Sequence, residues 1–100
     1  MNKKMAERFH ALGDPNRLII IDALAKGETC GCTIINNLSI SQPTLSYHLK
    51  IMTDSSILNA YKEGTWKKHK INHKEIKEMI DYLNSLLQKE KTCDSVCDNI

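Results

Sequence analysis

One hundred residues with 41% hydrophobic and 26% charged side chains suit one small soluble globular domain and exclude a disordered or fibrous class. No apolar run approaches the roughly 20 residues that cross a bilayer, and the opening MNKKMAERFHALG lacks the apolar centre of a secretion signal, so a cytoplasmic chain without membrane contact is expected. The net charge of +2 neither requires nor forbids a nucleic-acid partner, but it is unevenly spread: residues 41–72 hold five basic and two acidic side chains, residues 73–100 four and six.

In chain order, Met5, Phe9 and Leu12 recur at helical spacing and predict a first helix that Gly13 ends. A second helix opens with Asp14 as N-cap and Pro15 at the first helical position, and closes at Gly27. A short third helix is expected between Thr29 and Leu38, then a fourth capped by Ser41 and running to about Asp54. Two helices across so tight a turn suggest a helix-turn-helix. Strands near 57–62 and 66–71 flank a connection, Glu63-Gly64-Thr65, suited to a hairpin or wing. Asn72 caps a last helix striped by Ile76, Ile80, Leu83 and Leu87, widened by Met79 and Leu86. That stripe fits either a dimer contact or packing within one protomer. The order describes a mainly α (α+β) winged helix-turn-helix domain with an additional helix at each end, spanning 1–90, followed by a polar Cys-containing tail, 91–100.

At about 100° per residue, Leu45, Leu49 and Met52 gather on one side of the fourth helix with His48 at their edge. Pro43, Ser46, Tyr47 and Lys50 lie opposite, flanked by Gln42 and Thr44 near the helix N-terminus, the end that enters the major groove in helix-turn-helix proteins. Gln42 is the most informative of these, since glutamine pairs bidentately with adenine, whereas Ser and Thr are ambiguous. Lys62, Lys67, Lys68 and Lys70 decorate the hairpin, where phosphate contacts give affinity rather than sequence choice. Double-stranded DNA is therefore the expected partner. His48 reads as a packed, hydrogen-bonded residue, His69 as exposed or phosphate-facing, and Trp66 and Tyr61 as packing anchors of the hairpin. No acid, base and nucleophile constellation points to an enzyme.

ETCGCTIINNLSISQPTLSYHLKIM followed by YKEGTWKKHKI resembles the arsenical-resistance repressors of the ArsR/SmtB metalloregulator family over roughly residues 5–90. The resemblance rests on the Cys-x-Cys opening the third helix, the Ser-Gln-Pro-Thr-Leu-Ser-x-His-Leu stretch and the Gly-containing wing turn. It implies a homodimer joined through its first and last helices, bound to operator DNA without a cofactor and released when As(III) or Sb(III) binds the Cys30 and Cys32 thiolates. Thr33 stands where many arsenic-sensing relatives carry Asp, and Ile35 where some carry a third cysteine, so this helix alone does not supply three thiolates. The last helix lacks the second histidine pair of the family's zinc and cobalt sensors.

Four cysteines without an export signal point to reduced thiols. Residues i and i+2 project about 200° apart on a regular helix, so Cys30 and Cys32 chelate one atom only if the helix bends, which Gly31 between them permits. Soft thiolates bind thiophilic ions tightly, and a helix N-terminus favours the thiolate. Ion and operator would then oppose each other, and a coupling on the order of 3 kcal/mol is about 150-fold in operator affinity. Cys93 and Cys97, at i, i+4, leave open a four-thiolate site with Cys30 and Cys32 for cadmium, lead or zinc, and a thiol redox-sensing repressor is a further alternative.

Overall fold

The computed structural model describes residues 2–27 and 38–90. The expected third helix with Cys30 and Cys32, and the tail with Cys93 and Cys97, lie outside the described residues. Along the described residues the order is α1 (Asn2–Leu12), α2 (Pro15–Ala25), α3 (Gln42–Asp54), antiparallel strands β1 (Leu58–Glu63) and β2 (Trp66–Ile71), and α4 (His73–Lys89).

Three of these helices begin where a short polar side chain satisfies backbone N–H groups that have no partner within the helix. Asp14 Oδ1 accepts from the N–H of Asn16 at 2.9 Å and of Arg17 at 3.2 Å. Burial opposes the Asp14 charge, but those donors and the nearby Arg17 and His48 outweigh it and hold the carboxyl below its ordinary pKa. Ser41 Oγ accepts from the Thr44 N–H at 3.3 Å to open α3, and Asn72 Oδ1 from the Glu75 N–H at 3.4 Å to open α4.

The chain leaves α3 through a Schellman turn: the Ser56 N–H reaches the Thr53 carbonyl and the Ile57 N–H the Met52 carbonyl, both at 3.0 Å. Ser56 takes φ +69° there, a conformation usually given to glycine, and the turn drives Ile57 into the core. The hairpin then pairs Leu58 with Ile71 through Glu63 with Trp66, and β1 runs one residue later than expected. Gly64, at φ +65°, is the first of two loop residues, the place where such tight hairpins use glycine. The Asn72 N–H donates to the Ile57 carbonyl at 2.8 Å and closes the base of the wing.

One core joins all of these elements. Ala11, Ile20, Ala23, Leu24, Leu45, Leu49, Met52, Ile57, Leu58 and Met79 are buried together. Among them sits a charged side chain, Arg17, 7% exposed. Its Nε donates to the Ala11 carbonyl at 2.6 Å and its terminal nitrogen lies 3.1 Å from His48 Nδ1. Guanidinium nitrogens only donate, so Nδ1 accepts and the ring N–H resides on Nε2. His48 is buried and hydrogen-bonded as its place on the helix wheel implied.

On the other side, Arg8 is buried between α1 and α4, ion-paired with Glu75 and, at 3.0 Å, with Glu78. Phe9 and Tyr82 pack nearby with ring centroids 6.0 Å apart. Met79 enters the core and Ile76 packs against it, while Ile80, Leu83, Leu86 and Leu87 remain exposed. The α4 stripe is thus only partly used within one protomer. Trp66 corrects an expectation: it is 65% exposed and anchors nothing, because it falls at the wing tip on the hairpin face turned away from the core.

Replacing Arg17 by Met is expected to destabilise the fold by about 2–4 kcal/mol in urea unfolding, since the Ala11 carbonyl and His48 Nδ1 would both be buried without a donor. Adding His48→Phe to that variant should cost less than the two single changes summed, because they share one interaction. Strict additivity would show that the contact carries no coupling.

Candidate nucleic-acid interface

The two faces of α3 are as the helix wheel implied. Leu45, His48, Leu49 and Met52 are buried, and Gln42, Pro43, Ser46, Tyr47 and Lys50 are exposed. Thr44 is half-buried, and its hydroxyl lies 2.9 Å from Ser41 Oγ, so it serves the start of the helix as well as its rim. Tyr47 stands 60% exposed with its ring 5.5 Å from that of His48. The packed His48 thus lies beside an exposed aromatic side chain of that face.

The pleat of the wing sorts its lysines, because alternate residues of a strand point to opposite faces. Lys67, His69 and Ile71 share a face with their partners Lys62, Ala60 and Leu58, and that is the face turned toward the core, where Leu58 is buried. Lys68 and Lys70 lie on the other face with Tyr61 and Trp66. His69 therefore corrects the expectation of exposure: it is 8% exposed. Burial, and then the charge on Lys67, push its pKa below the ordinary 6.5. The parity of Ile71 and His69 along the strand carried the signal for that inward orientation.

Residues 41–72 contain two acidic side chains, and each holds a lysine. Asp54 binds Lys50 at 2.8 Å one helical turn away and raises its pKa. Glu63 lies 3.3 Å from Lys68, while Lys70 sits 5.5 Å above the Tyr61 ring. Lys62 and Lys67, directly opposite each other across the ladder, have no ion-pair partner among the described residues. Two like charges so placed repel each other until an anion arrives. The Arg17 contacts were not visible in residue spacing, whereas Lys50 and Asp54 stand at the i, i+4 spacing that a helix brings together.

Among the described residues, no group of three or more His, Cys, Asp or Glu side chains is arranged to hold a metal ion. Nor, among them, is any helix long and apolar enough to cross a membrane.

The sequence pattern of the family described as "Bacterial regulatory protein, arsR family" matches residues 14–60, from the Asp14 cap into β1. An arsenical resistance operon repressor of Staphylococcus xylosus is 36% identical over 95% of this chain and 88% of its own. The chain belongs to the ArsR family. An uncharacterized HTH-type transcriptional regulator of Methanocaldococcus jannaschii is 45% identical over 84% of this ArsR-family chain and 96% of its own. In architecture the ArsR-family chain is similar to the homodimeric winged helix-turn-helix DNA-binding domain Mb0332 from Mycobacterium bovis, with a TM-score of 0.70 and 23% identity over 88% and 82% of the two chains. It is accordingly a DNA-binding transcriptional regulator with a repressor's fold, and not an enzyme.

The buried imidazole makes the stability of this ArsR-family domain sensitive to acid. Its folded pKa lies below the unfolded value of 6.5, so in that interval the unfolded chain binds more protons. Stability is then fully present above pH 6.5 and is lost as pH falls through the folded value. Thermal unfolding from pH 7.5 to 5 should show that loss, and His69→Gln should reduce it; an unchanged acid slope in the variant would assign the sensitivity elsewhere.

Proposed function

We propose that this chain is a metalloid-responsive repressor that binds operator DNA as a homodimer and leaves it when As(III) or Sb(III) binds the thiolates of Cys30 and Cys32. The observation that carries this reading is the position of the Cys-Gly-Cys stretch: it lies in the stretch of chain that joins α2 to α3, the helix that presents Gln42, Pro43, Thr44, Ser46, Tyr47 and Lys50. An ion that draws those two sulfurs together acts on the stretch leading directly into the DNA-reading helix. The 36% identical relative named as an arsenical resistance operon repressor supports arsenic chemistry over the cadmium, lead, zinc and redox alternatives.

Two observations support the dimer. Ile80, Leu83, Leu86 and Leu87 form an exposed apolar row on α4, with Leu87 70% exposed, and a helix of this amphipathicity ordinarily buries such a row. The structurally similar Mycobacterium bovis domain is homodimeric. A two-fold dimer presents two copies of α3 to paired half-sites, matching the symmetry of helix-turn-helix operators.

On this reading α3 supplies sequence choice and the wing supplies affinity. Gln42 reads a base edge, while Lys62, Lys67 and Lys68 neutralise phosphates. Of these, Lys62 and Lys67 can do so without breaking an ion pair among the described residues, and Lys68 exchanges Glu63 for phosphate.

The decisive experiment is release from DNA upstream of the chain's own gene under reducing conditions. Cys30→Ser and Cys32→Ser should bind that DNA as the parent does yet resist arsenite; normal release from both would refute the site. Release of the parent by cadmium or by peroxide, with arsenite inert, would transfer the function to the corresponding alternative. Separately, Gln42→Ala should lower the ratio of operator to random-duplex affinity, whereas Lys67→Ala should reduce the slope of log K against log salt by about one with that ratio kept. Identical effects of the two changes on both DNAs would contradict the division.

A further inference from the structure

Between α3 and the wing lies a cleft of about 430 Å³ lined by Ser46, Leu49, Lys50, Thr53, Asp54, Lys67 and His69. His69 lines it with 8% of its surface exposed, and its imidazole makes no hydrogen bond among the described residues. Among the described residues the buried polar atoms left without a partner are Arg8 Nε and Glu75 Oε2, so the ring nitrogens of His69 are not sealed from solvent and can meet a ligand in the cleft. Lys67 stands two residues away on the same face of β2 with Lys62 directly across the ladder.

We propose that this cleft is a seat for one backbone phosphate of bound DNA, held by Lys67 and by the His69 imidazole, which takes up a proton as the phosphate enters. The occupant is a phosphate of the duplex because the cleft is continuous with the exposed face of α3: Ser46 and Lys50 belong to both. This rests on the assignment of that face to DNA. In the free protein the environment disfavours a charged ring, through burial and the Lys67 ammonium. A phosphate in the cleft reverses the balance, neutralising Lys67 and accepting a hydrogen bond from the imidazolium, so the proton passes from solvent to the ring on binding.

The charges around the ring are few. Lys67 is beside it, Lys62 lies across the ladder, and α3 contributes Lys50 and Asp54, which are bound to each other. Among the described residues Asp54 is the one carboxylate in the lining; engaged by Lys50, it opposes the phosphate less than a free carboxylate would. Helix α2 also packs on β2, but its Arg17 is committed to Ala11 and His48 and its Asp22 to Lys26. None of these groups offsets the burial that disfavours the charged imidazole.

By linkage, binding that takes up a proton strengthens as pH falls through the interval between the free and bound pKa values. Affinity for a random-sequence duplex should rise by roughly three- to tenfold from pH 8 to pH 6 at fixed salt, one proton giving at most about tenfold per pH unit. His69→Gln should bind with a flat profile. Because that variant can be compromised in folding, the second measurement uses the parent protein: the NMR titration midpoint of the His69 ring should move upward when the duplex is added. A pH-independent parent affinity, the parent slope retained in His69→Gln, or an unmoved midpoint would each overturn the phosphate seat while leaving DNA binding by α3 intact. If inorganic phosphate alone moved the midpoint while duplex affinity stayed flat with pH, the cleft would be a free-phosphate site and the proposal would fall. No duplex binding at any pH would remove the assignment of the face itself.

Discussion

The guanidinium of Arg17 is the interaction on which the arrangement of this domain depends. It leaves the first turn of α2, binds the carbonyl of Ala11 near the end of α1 and reaches the imidazole of His48 in the middle of α3. A buried cation is tolerated only where its donors find acceptors, and here those acceptors belong to two different helices. The apolar row of Leu45, Leu49 and Met52 chooses the side of α3 that faces inward and leaves Gln42, Ser46, Tyr47 and Lys50 facing out. Leucine and isoleucine contacts are non-directional, however, and the hydrogen bonds to Arg17 add direction, tying α1, α2 and α3 together at fixed points on that inward side.

The wing is positioned by different means. Ile57 is carried into the core by the turn that ends α3, and Asn72 ties back to it, so both ends of the hairpin are fixed at its base while its tip extends freely. Along the strands the pleat then allots lysines to two faces with unequal surroundings. On the outer face Lys68 and Lys70 have a carboxylate and an aromatic ring as company; on the inner face Lys62 and Lys67 oppose each other without an ion-pair partner among the described residues. Exposed ion pairs contribute little to stability and are readily exchanged, so under the proposed function Asp54 and Glu63 leave their lysines able to turn to phosphates. They lower the positive field of the free surface, which weakens attraction to any polyanion that lacks better contacts to offer.

Much of this was legible in the sequence because the signals are local. Asp14-Pro15, Ser41 and Asn72 mark three helix starts through hydrogen bonds that span only two or three residues, and the Leu45, Leu49, Met52 row fixed the buried side of α3 by period alone. The errors came where a side chain's surroundings depend on which strand face meets the core. Trp66 was expected to pack because aromatic residues usually do, and His69 to be exposed because it lies among lysines. Counting by twos back from Ile71 would have placed His69 inward and Trp66 outward. The Arg17 contacts were illegible for another reason: they join residues 31 positions apart, and nothing in the spacing of an arginine and a histidine announces their meeting.

Under the proposed function, these constraints determine where a signal entering at Cys30 and Cys32 has leverage. The C-terminal end of α3 is locked by the Ser56 turn and the burial of Ile57, and its middle by Arg17 and His48. Its N-terminal end is held by the Ser41 cap, and residues 28–37, the stretch containing the two thiols, precede that cap in the chain. A helix fixed at its middle and far end yields at its near end first. That near end carries Gln42 and Pro43, the positions of α3 that enter a major groove most deeply in helix-turn-helix proteins. Displacement there removes base contacts before phosphate contacts, because the wing lysines rest on the separately anchored hairpin. Loss of sequence discrimination therefore precedes loss of electrostatic affinity, and a repressor so altered is dispersed onto random DNA rather than expelled from DNA altogether.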